Sequence, residues 1–317
     1  MSVLFYVEES LDRVRSGLAR RVASLGGRIG DPLAEYIGRP GKMLRARYAL
    51  HLGGALGTPE SLCERTALVV ELVHNASLLH DDCIDNGLLR RGVPTPNARF
   101  GERTGIMLGD LAFVEGMVEA AGISASAVKS LMGAVSEMTV GEIQEEFIKG
   151  SPDISFEGYC GIAARKTAAI FEWAGRVLSE ASPLAHREVD PPRLGRSAGV
   201  LLQIIDDIHD FTLPEDIAGK SPGQDFANGR LTLPCILALD SEATREEFLQ
   251  VWKTRLRGRE AYREAKDILV RGGHLDEARR RARGIMESML PIVDDLPVRE
   301  KAAELRAYMD LLFSREF

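Results

Sequence analysis

The sequence predicts an all-α protein, a bundle of about ten or more helices that forms a single domain over residues 1–317. Three observations favour helices: apolar residues recur at intervals of three and four, prolines stand where helices begin, and runs of β-branched residues are scarce. Aromatic residues make up only 6% of the chain, and no low-complexity tract or Gly/Ser linker divides it. A chain of this length can bury a sizeable core.

The clearest helical pattern lies near the N-terminus. An apolar side chain falls at every third or fourth position, which is the spacing of one face of an amphipathic helix. The residues of this stripe are Leu4, Val7, Leu11, Val14, Leu18, Val22 and Leu25. The same segment carries acids where a signal peptide would carry basic residues, so the sequence predicts a cytoplasmic protein.

Prolines predict where further helices begin. Asp31, Thr58 and Asp190 each precede a proline. A capping side chain followed by a proline is typical of a helix start, so these residues are expected to be N-caps. Two segments, 91–96 and 219–223, contain Gly and Pro at close spacing and are predicted to be loops.

Composition excludes several classes of protein. The formal net charge of −7 argues against nucleic acid as a partner. No stretch of about 18 or more apolar residues is present, so no transmembrane segment is predicted. The four cysteines lie far apart and form no CxxC pair. They fit a reducing compartment better than a disulfide or zinc framework.

Two acidic clusters share the pattern DDxxD, and each follows an apolar run. On a helix, the first and last aspartates of the pattern lie one turn apart, and the second lies about 100° round the axis. Like charges at this spacing destabilise a helix by roughly 0.2–0.5 kcal/mol, so a compensating cation is expected. Oxygen-only ligands suit Mg²⁺ better than zinc. The clusters are Asp81, Asp82 and Asp85, and Asp206, Asp207 and Asp210.

Basic residues accompany both acidic clusters. Mg²⁺ typically binds through a few carboxylates together with substrate phosphates, so cationic side chains are expected for the remaining phosphate oxygens. Guanidinium groups hold phosphate through two parallel hydrogen bonds. The basic residues in question are Lys42, Arg45, Arg90, Arg91, Lys166 and Lys220. Together with the repeated DDxxD pattern, they favour a diphosphate site over a solvated acidic surface.

As a set, these motifs resemble those of the trans-prenyl diphosphate synthase family, closest in pattern to its long-chain members. The matching segments are GKMLR (41–45), DDCIDNGLLRRGVPT (81–95), GE (141–142), KT (166–167), QIIDDIHD (203–210) and TLP (232–234). The resemblance implies an all-α prenyltransferase whose helices surround a central prenyl cavity. It also implies Mg²⁺-dependent, head-to-tail joining of isopentenyl diphosphate to an allylic diphosphate.

The resemblance also implies roles for individual residues. Three Mg²⁺ ions would be held by Asp81, Asp82, Asp85, Asp206 and Asp210, with Asp207 as a nearby further ligand. Isopentenyl diphosphate would be bound by Lys42, Arg45, His74 and Arg91. The allylic diphosphate would be bound by Arg90, Lys166, Thr167, Gln203, Lys220 and Arg230, the last of which replaces the usual lysine. Catalysis would fall to Asp81, Asp82, Asp85, Lys166, Gln203, Asp206 and Lys220.

Product length is predicted from small residues one turn before the first DDxxD motif. In the resembled family, bulky aromatics there accompany products of fifteen or twenty carbons, and small residues accompany longer products. Here the positions are Ala76 and Ser77, so products longer than twenty carbons are expected. A deeper residue such as Met132 could close the cavity instead, which leaves a farnesyl or geranylgeranyl diphosphate synthase as the alternative.

The resemblance further implies a homodimer. Three other functions remain open at the level of sequence. A class I terpene synthase shares the fold and the ionisation of an allylic diphosphate, but it needs no Lys42 and Arg45 site. A non-catalytic subunit of a prenyl synthase would be expected to lose carboxylates or cations, and this chain has both sets. A helical scaffold that buffers divalent ions leaves the basic residues unexplained.

Overall fold

The computed structural model of the chain describes residues 5–38, 41–184, 189–213 and 223–314. These residues are overwhelmingly helical, which confirms the all-α prediction. Within the described ranges, extended structure is limited to a short antiparallel pair, β1 (Leu89–Arg90) and β2 (Val93–Pro94). This hairpin occupies much of the segment 91–96 that was predicted to be a loop. The predicted loop 219–223 lies outside the described residues except for Gly223.

The helices group into two compact units, each assembled from separate stretches of the described chain. Of the described residues, those within Met1–Ser136, Ile170–Gly195 and Pro291–Tyr308 form unit 1, and those within Glu137–Ala169, Arg196–Leu290 and Met309–Phe317 form unit 2. The prediction of a single domain around one cavity stays a prediction.

The first half of the chain forms helices α1 to α7. Their bounds are α1 Phe5–Ala23, α2 Gly27–Ile37, α3 Leu44–Leu56, α4 Glu60–Ile84, α5 Pro96–Phe100, α6 Glu102–Ala121 and α7 Ala125–Ile148. The predicted N-terminal stripe is confirmed in α1, where its members from Val7 to Val22 are all buried. Leu4 lies outside the described residues, and Leu25 follows the end of the helix.

The second half of the chain forms helices α8 to α16. Their bounds are α8 Phe156–Ala163, α9 Ala169–Ala181, α10 Pro191–Thr212, α11 Gln224–Ala227, α12 Leu233–Asp240, α13 Arg245–Lys253, α14 Arg259–Arg271, α15 His274–Asp294 and α16 Arg299–Ser314. A π-helical turn, Ala164–Ala168, separates α8 from α9, and a 3₁₀ turn, Arg255–Arg257, separates α13 from α14. None of the described helices is long and apolar enough to cross a bilayer.

Close packing of α6 against α4 fixes the position of the first acidic motif within unit 1. Gly109 in α6 lies so near α4 that an added Cβ would stand 2.3 Å from Nε2 of His80. His80 directly precedes Asp81, and its ring also contacts Asp110 at 3.2 Å and the carbonyl of Ile106 at 3.1 Å. A side chain larger than hydrogen at position 109 would therefore displace the His80 ring from these contacts.

The predicted helix starts are only partly correct. Asp190 caps α10 as expected, since its Oδ1 accepts a hydrogen bond from the backbone N–H of Arg193 at 3.0 Å. Thr58 is not a cap, because its hydroxyl donates to the carbonyl of Leu178 at 2.8 Å instead. Asp31 is not a cap either, because α2 begins earlier, at Gly27, and Pro32 lies inside it.

Candidate active site

The first acidic motif ends the long helix α4 in unit 1. Asp81 and Asp82 lie in its last turn, and Asp85 is the residue that follows Ile84 at the helix end. Asp81 and Asp85 are partly exposed, whereas Asp82 is buried. The motif thus has two outer carboxylates, those of Asp81 and Asp85, that solvent can reach, and an inner one, that of Asp82, that solvent cannot reach.

The buried carboxylate of Asp82 is bound by two other side chains. The hydroxyl of Tyr36 donates a hydrogen bond to its Oδ2 at 2.6 Å. Arg90, in β1, donates to it through Nε at 3.0 Å and through Nη2 at 2.7 Å. Two charge-assisted contacts of this kind hold the guanidinium in one plane. The predicted roles of Asp82 in metal binding and of Arg90 in diphosphate binding stay predictions.

The residues predicted to bind isopentenyl diphosphate lie in or beside α3 and α4 of unit 1. Nη1 of Arg45 lies 3.1 Å from Nε2 of His74. Burial, reinforced by the positive charges of Arg45 and Arg91, holds the pKa of His74 well below its usual range. The ring is therefore neutral, and Nε2 accepts the hydrogen bond from Arg45.

The remaining two predicted residues of that site, Lys42 and Arg91, lie at the segment that leads into α3. The guanidinium of Arg91 lies 3.2 Å from the position that a Cβ on Gly41 would take. Lys42, the next residue, is exposed. Since Gly41 has no side chain, the Arg91 guanidinium can lie directly against the backbone that leads into α3.

The predicted chain-length residues differ in their surroundings. Ala76 is fully buried in α4, and Ser77 beside it donates a hydrogen bond from its hydroxyl to the carbonyl of His74 at 2.9 Å. Met132, in α7, is 56% exposed. The role of all three residues in setting product length stays a prediction.

The second acidic motif lies near the end of α10, in unit 2. Asp206 is partly exposed, while Asp207 and Asp210 are buried. Asp207 accepts hydrogen bonds from the Tyr159 hydroxyl at 2.7 Å, from Nε2 of Gln203 at 2.9 Å and from the backbone N–H of Leu233 at 2.9 Å. Burial raises the pKa of Asp207 to about 7, and these three donors act in the opposite direction by stabilising its charged form.

The two motifs, one in unit 1 and the other in unit 2, therefore share a local feature. In each motif the second aspartate turns inward and accepts a hydrogen bond from a tyrosine hydroxyl, Tyr36 for Asp82 and Tyr159 for Asp207. In each motif the first aspartate stays accessible. The shared sequence pattern thus corresponds to a shared local structure.

A cavity of about 100 Å³ in unit 2 is lined by four of the predicted site residues, together with Tyr159. Its lining includes Tyr159, Lys166, Gln203, Asp207 and Arg230. Thr167 is buried next to it and donates a hydrogen bond from its hydroxyl to Oε1 of Gln203 at 2.7 Å. Lys166 and Thr167 lie in the π-helical turn, and single turns of this kind often occur at functional sites. Lys220, predicted to belong to the same site, lies outside the described residues.

Two glutamates of α7 form ion pairs with the cations of this cavity. Nζ of Lys166 lies 2.6 Å from Glu142 and 2.6 Å from Glu145. Arg230 lies 3.0 Å from Glu145 through Nε. The acids hold both cations at the cavity, where an incoming diphosphate would compete for the same positive charges.

Sequence reasoning assigned no role to several residues that the structure places against the predicted site. They are Tyr36, Glu71, Glu142, Glu145 and Tyr159. Glu142 falls inside the matched segment 141–142, so its position carried a signal. Tyr36 and Glu71 are defined by contacts to other helices, and the local pattern around them gives no sign of these contacts.

The carboxylates suit Mg²⁺ as a ligand set that needs the substrate to complete it. Over the described residues, no three His, Cys, Asp or Glu side chains converge into a ready-made metal site. The outer aspartates nevertheless offer oxygen atoms only, spaced one turn apart. Mg²⁺ prefers oxygen ligands and is usually bound by one or two carboxylates plus substrate phosphates, so these residues fit it.

Comparison with known proteins places this architecture among prenyl synthases. The family model described as polyprenyl synthetase matches residues 28–269. The octaprenyl diphosphate synthase of Haemophilus influenzae is 30% identical over 285 residues, which cover 87% of this chain and 85% of that protein.

Solved structures share the fold over nearly the whole chain. The decaprenyl diphosphate synthase of Rhodobacter capsulatus superimposes with a TM-score of 0.87 at 24% identity, covering 99% of this chain and 98% of that one. A polyprenyl synthase of Caulobacter crescentus, solved with calcium and isoprenyl diphosphate, gives a TM-score of 0.88 at 24% identity, with coverage of 99% and 97%.

Proposed function

The chain belongs to the polyprenyl synthetase family and is a prenyltransferase, and on this premise we propose that it makes a trans-polyprenyl diphosphate longer than twenty carbons. The substrates are isopentenyl diphosphate and an allylic diphosphate, joined head-to-tail. The observation that carries the proposal is the repeated DDxxD motif, in which each first aspartate is accessible and each second one is fixed by a tyrosine. The relatives that share this family support the long product.

The aspartates divide into two roles. Asp81, Asp85, Asp206 and Asp210 hold three Mg²⁺ ions together with the diphosphate oxygens. Bound Mg²⁺ supplies Lewis acidity, which draws electron density onto the leaving diphosphate. Asp82, predicted as a ligand of the metal ions, and Asp207, predicted as a nearby further ligand, instead orient their motifs. This role is supported by the hydrogen bonds that their oxygens already accept from Tyr36 and Arg90, and from Tyr159 and Gln203.

The cations bind the two diphosphates. Arg90, Lys166, Lys220 and Arg230 hold the allylic diphosphate, while Thr167 and Gln203 line the place where its allylic carbon reacts. Lys42, Arg45, His74 and Arg91 hold isopentenyl diphosphate. Two kinds of support exist: the shared cavity lining in unit 2, and the contact between Arg45 and His74 in unit 1. When both substrates are held in this way, their reaction becomes effectively unimolecular. This positioning can supply a large part of an enzyme's rate enhancement.

Release of pyrophosphate tests the proposed reaction class. The purified protein is incubated with Mg²⁺ and with isopentenyl diphosphate, farnesyl diphosphate or both. A prenyl diphosphate synthase releases pyrophosphate only when both substrates and the metal are present. Release from farnesyl diphosphate alone would instead indicate a terpene synthase. No release under any condition would indicate a non-catalytic subunit.

A homodimer is also proposed, and an uncovered apolar face on α6 supports it. Met107, Val114 and Val118 lie at intervals of seven and four residues, and so on one face of this helix, and all three are exposed large apolar residues. Ile106, next to Met107, is exposed as well. Contiguous exposed apolar residues on a folded protein commonly mark an interface. Light scattering at micromolar concentration is expected to give the mass of two chains, and Val114→Glu is expected to shift it towards one. A wild-type mass of one chain would contradict the proposal.

A cytoplasmic location is proposed as well. It is supported by the four cysteines, all of which are free thiols in the structure. Free and mostly buried thiols suit a reducing compartment.

A further inference from the structure

A buried glutamate in α4 has no role in the scheme above. Glu71 is 3% exposed, and its Oε1 accepts a hydrogen bond from the backbone N–H of Ala46 at 3.2 Å. Burial raises the pKa of its carboxyl, whereas the charges of Arg45 and Arg91 act in the opposite direction. A carboxylate this deep is strongly unfavourable unless it is hydrogen-bonded and paired with a cation. The hydrogen bond from Ala46 and the charges of Arg45 and Arg91 therefore compensate for the burial of Glu71.

The bond from Ala46 places the Glu71 carboxylate at the start of another helix. Ala46 is the third residue of α3, which begins at Leu44. Met43, at the N-cap position, has a left-handed backbone with φ 50° and its side chain makes no capping hydrogen bond. Glu71 therefore supplies, from α4, the acceptor that an N-cap side chain usually offers to the third N–H of a helix. Its negative charge also lies at the positive end of the helix dipole.

The helix start that Glu71 caps is the one that carries the predicted isopentenyl diphosphate residues. Arg45 directly precedes Ala46, and its Nη1 bonds to Nε2 of His74 at 3.1 Å. His74 is three residues beyond Glu71, so both side chains leave the same face of α4. One of them holds the backbone of this segment and the other holds its guanidinium.

From this arrangement we infer that Glu71 is a positioning residue of the isopentenyl diphosphate site. It fixes the first turn of α3 and, with His74, sets the direction of the Arg45 guanidinium. Its negative charge also interacts favourably with the positive charges of Arg45 and Arg91. Glu71 itself does not touch the diphosphate, since two anions would repel, and it acts through the arginines. The inference rests on the proposed function.

Steady-state kinetics with each substrate titrated separately tests the inference. Glu71→Gln keeps the size and one acceptor oxygen but removes the charge. We expect the KM for isopentenyl diphosphate to rise on the order of tenfold, the loss typical of a weakened charge-assisted hydrogen bond. The KM for the allylic diphosphate should change less than about twofold, because sites that share no binding residues respond independently to a substitution. Glu71→Asp keeps the charge and should recover part of the lost affinity.

A matched control separates positioning from a purely structural role. Glu304 is another buried glutamate of unit 1, and it pairs with Lys301 at 2.8 Å. Glu304→Gln should lower Tm without changing either KM. If Glu71→Gln and Glu71→Asp behave like Glu304→Gln, Glu71 is structural only and the inference is overturned.

A second control distinguishes failure of this inference from failure of the site. Arg45→Gln should raise the KM for isopentenyl diphosphate at least as much as Glu71→Gln does. If Arg45→Gln raises it and neither Glu71 variant does, only the role of Glu71 is wrong. If Arg45→Gln leaves it unchanged, the isopentenyl diphosphate site is misassigned, and the role of Glu71 falls with it.

Discussion

The hydroxyl of Tyr159 donates a 2.7 Å hydrogen bond to Asp207, the second aspartate of a DDxxD motif. Tyr36 makes the same bond to Asp82 in the other motif. A buried carboxylate that accepts several such bonds has a fixed rotamer, and the helix turn around it is fixed as well. The accessible aspartates beside them, Asp81 and Asp85 in one motif and Asp206 in the other, are therefore held in place before any metal or substrate arrives.

Removing that bond should destabilise the fold. In Tyr159→Phe, a buried carboxylate loses one of its three donors, and hydrogen bonds to charged groups contribute about 1.5–3 kcal/mol. Urea unfolding is expected to show a loss of that size. Tyr308→Phe is the matched control, because the Tyr308 hydroxyl bonds to the neutral carbonyl of Leu44 and its loss should cost only about 1 kcal/mol. Equal losses in the two variants would contradict a special role for the Tyr159 bond.

Loss of an accessible aspartate should remove activity and leave the fold intact. Asp81→Ala and Asp206→Ala each take away an oxygen ligand for Mg²⁺. Lewis-acid stabilisation contributes several kcal/mol, so kcat should fall at least about 100-fold. Because each variant also relieves like-charge repulsion on its helix, circular dichroism should show unchanged helicity. Near-normal turnover by either variant would mean that the metal site is misassigned.

The two diphosphate sites should respond to different substitutions. Lys42→Ala is expected to raise the KM for isopentenyl diphosphate on the order of tenfold, because one charge-assisted contact is lost. Lys220→Ala should raise the KM for the allylic diphosphate in the same way. Each substrate is titrated with the other at saturation. Equal effects of both variants on both substrates would show that the sites are not separate.

Stability should fall as the pH drops below about 6.5. His51, in α3, is buried against the ring of Tyr308, and burial, assisted by Arg47 and Lys301, lowers its pKa to about 4. The unfolded chain therefore binds a proton between pH 6.5 and 4 that the folded chain does not bind. The contribution of neutral His51 to the free energy of unfolding is complete above about pH 6.5 and is lost as the pH falls towards 4.

Urea unfolding at pH 7 and pH 5 measures this contribution. The free energy of unfolding should drop by about 2 kcal/mol from His51 alone. His51→Phe, which keeps a ring against Tyr308, should show a drop that is smaller by that amount. An unchanged pH dependence in this variant would mean that His51 is not the group that titrates.

The elements that could be predicted from sequence are those fixed by local patterns. The buried stripe of α1 follows from spacing alone, and the Asp190 cap follows from two consecutive residues, an aspartate and a proline. Thr58 has the same local signal, yet its hydroxyl bonds to Leu178, far away in the sequence. The π-helical turn at Lys166 also gave no sign in the sequence, although Gly141 opposite it allows the close approach of the backbone.

The candidate site divides in the same way. Aspartates and basic residues in short motifs were identified because their spacing carries the chemistry. Tyr36, which fixes Asp82, and Glu71, which caps α3, were not, because each acts across a tertiary contact that spacing does not encode. Glu145 pairs with Lys166 from another helix and was missed for the same reason.

The last prediction concerns Ala76 and the proposed path of the growing chain. This residue is fully buried in α4, five positions before Asp81, which is about 7.5 Å along the helix at 1.5 Å per residue. Ala76→Phe adds an aromatic ring where the growing chain is proposed to descend. Products of this variant should shorten to fifteen to twenty carbons, because a filled cavity leaves no room for further isoprene units.

Product length, measured by mass spectrometry, tests the central claim most directly. Wild-type protein is incubated with Mg²⁺, isopentenyl diphosphate and farnesyl diphosphate, and the products are dephosphorylated and sized next to those of Ala76→Phe. We predict wild-type products longer than twenty carbons and shorter ones from the variant. Wild-type products that stop at fifteen or twenty carbons, or no prenyl product at all, would contradict the assignment of this chain as a long-chain trans-polyprenyl diphosphate synthase.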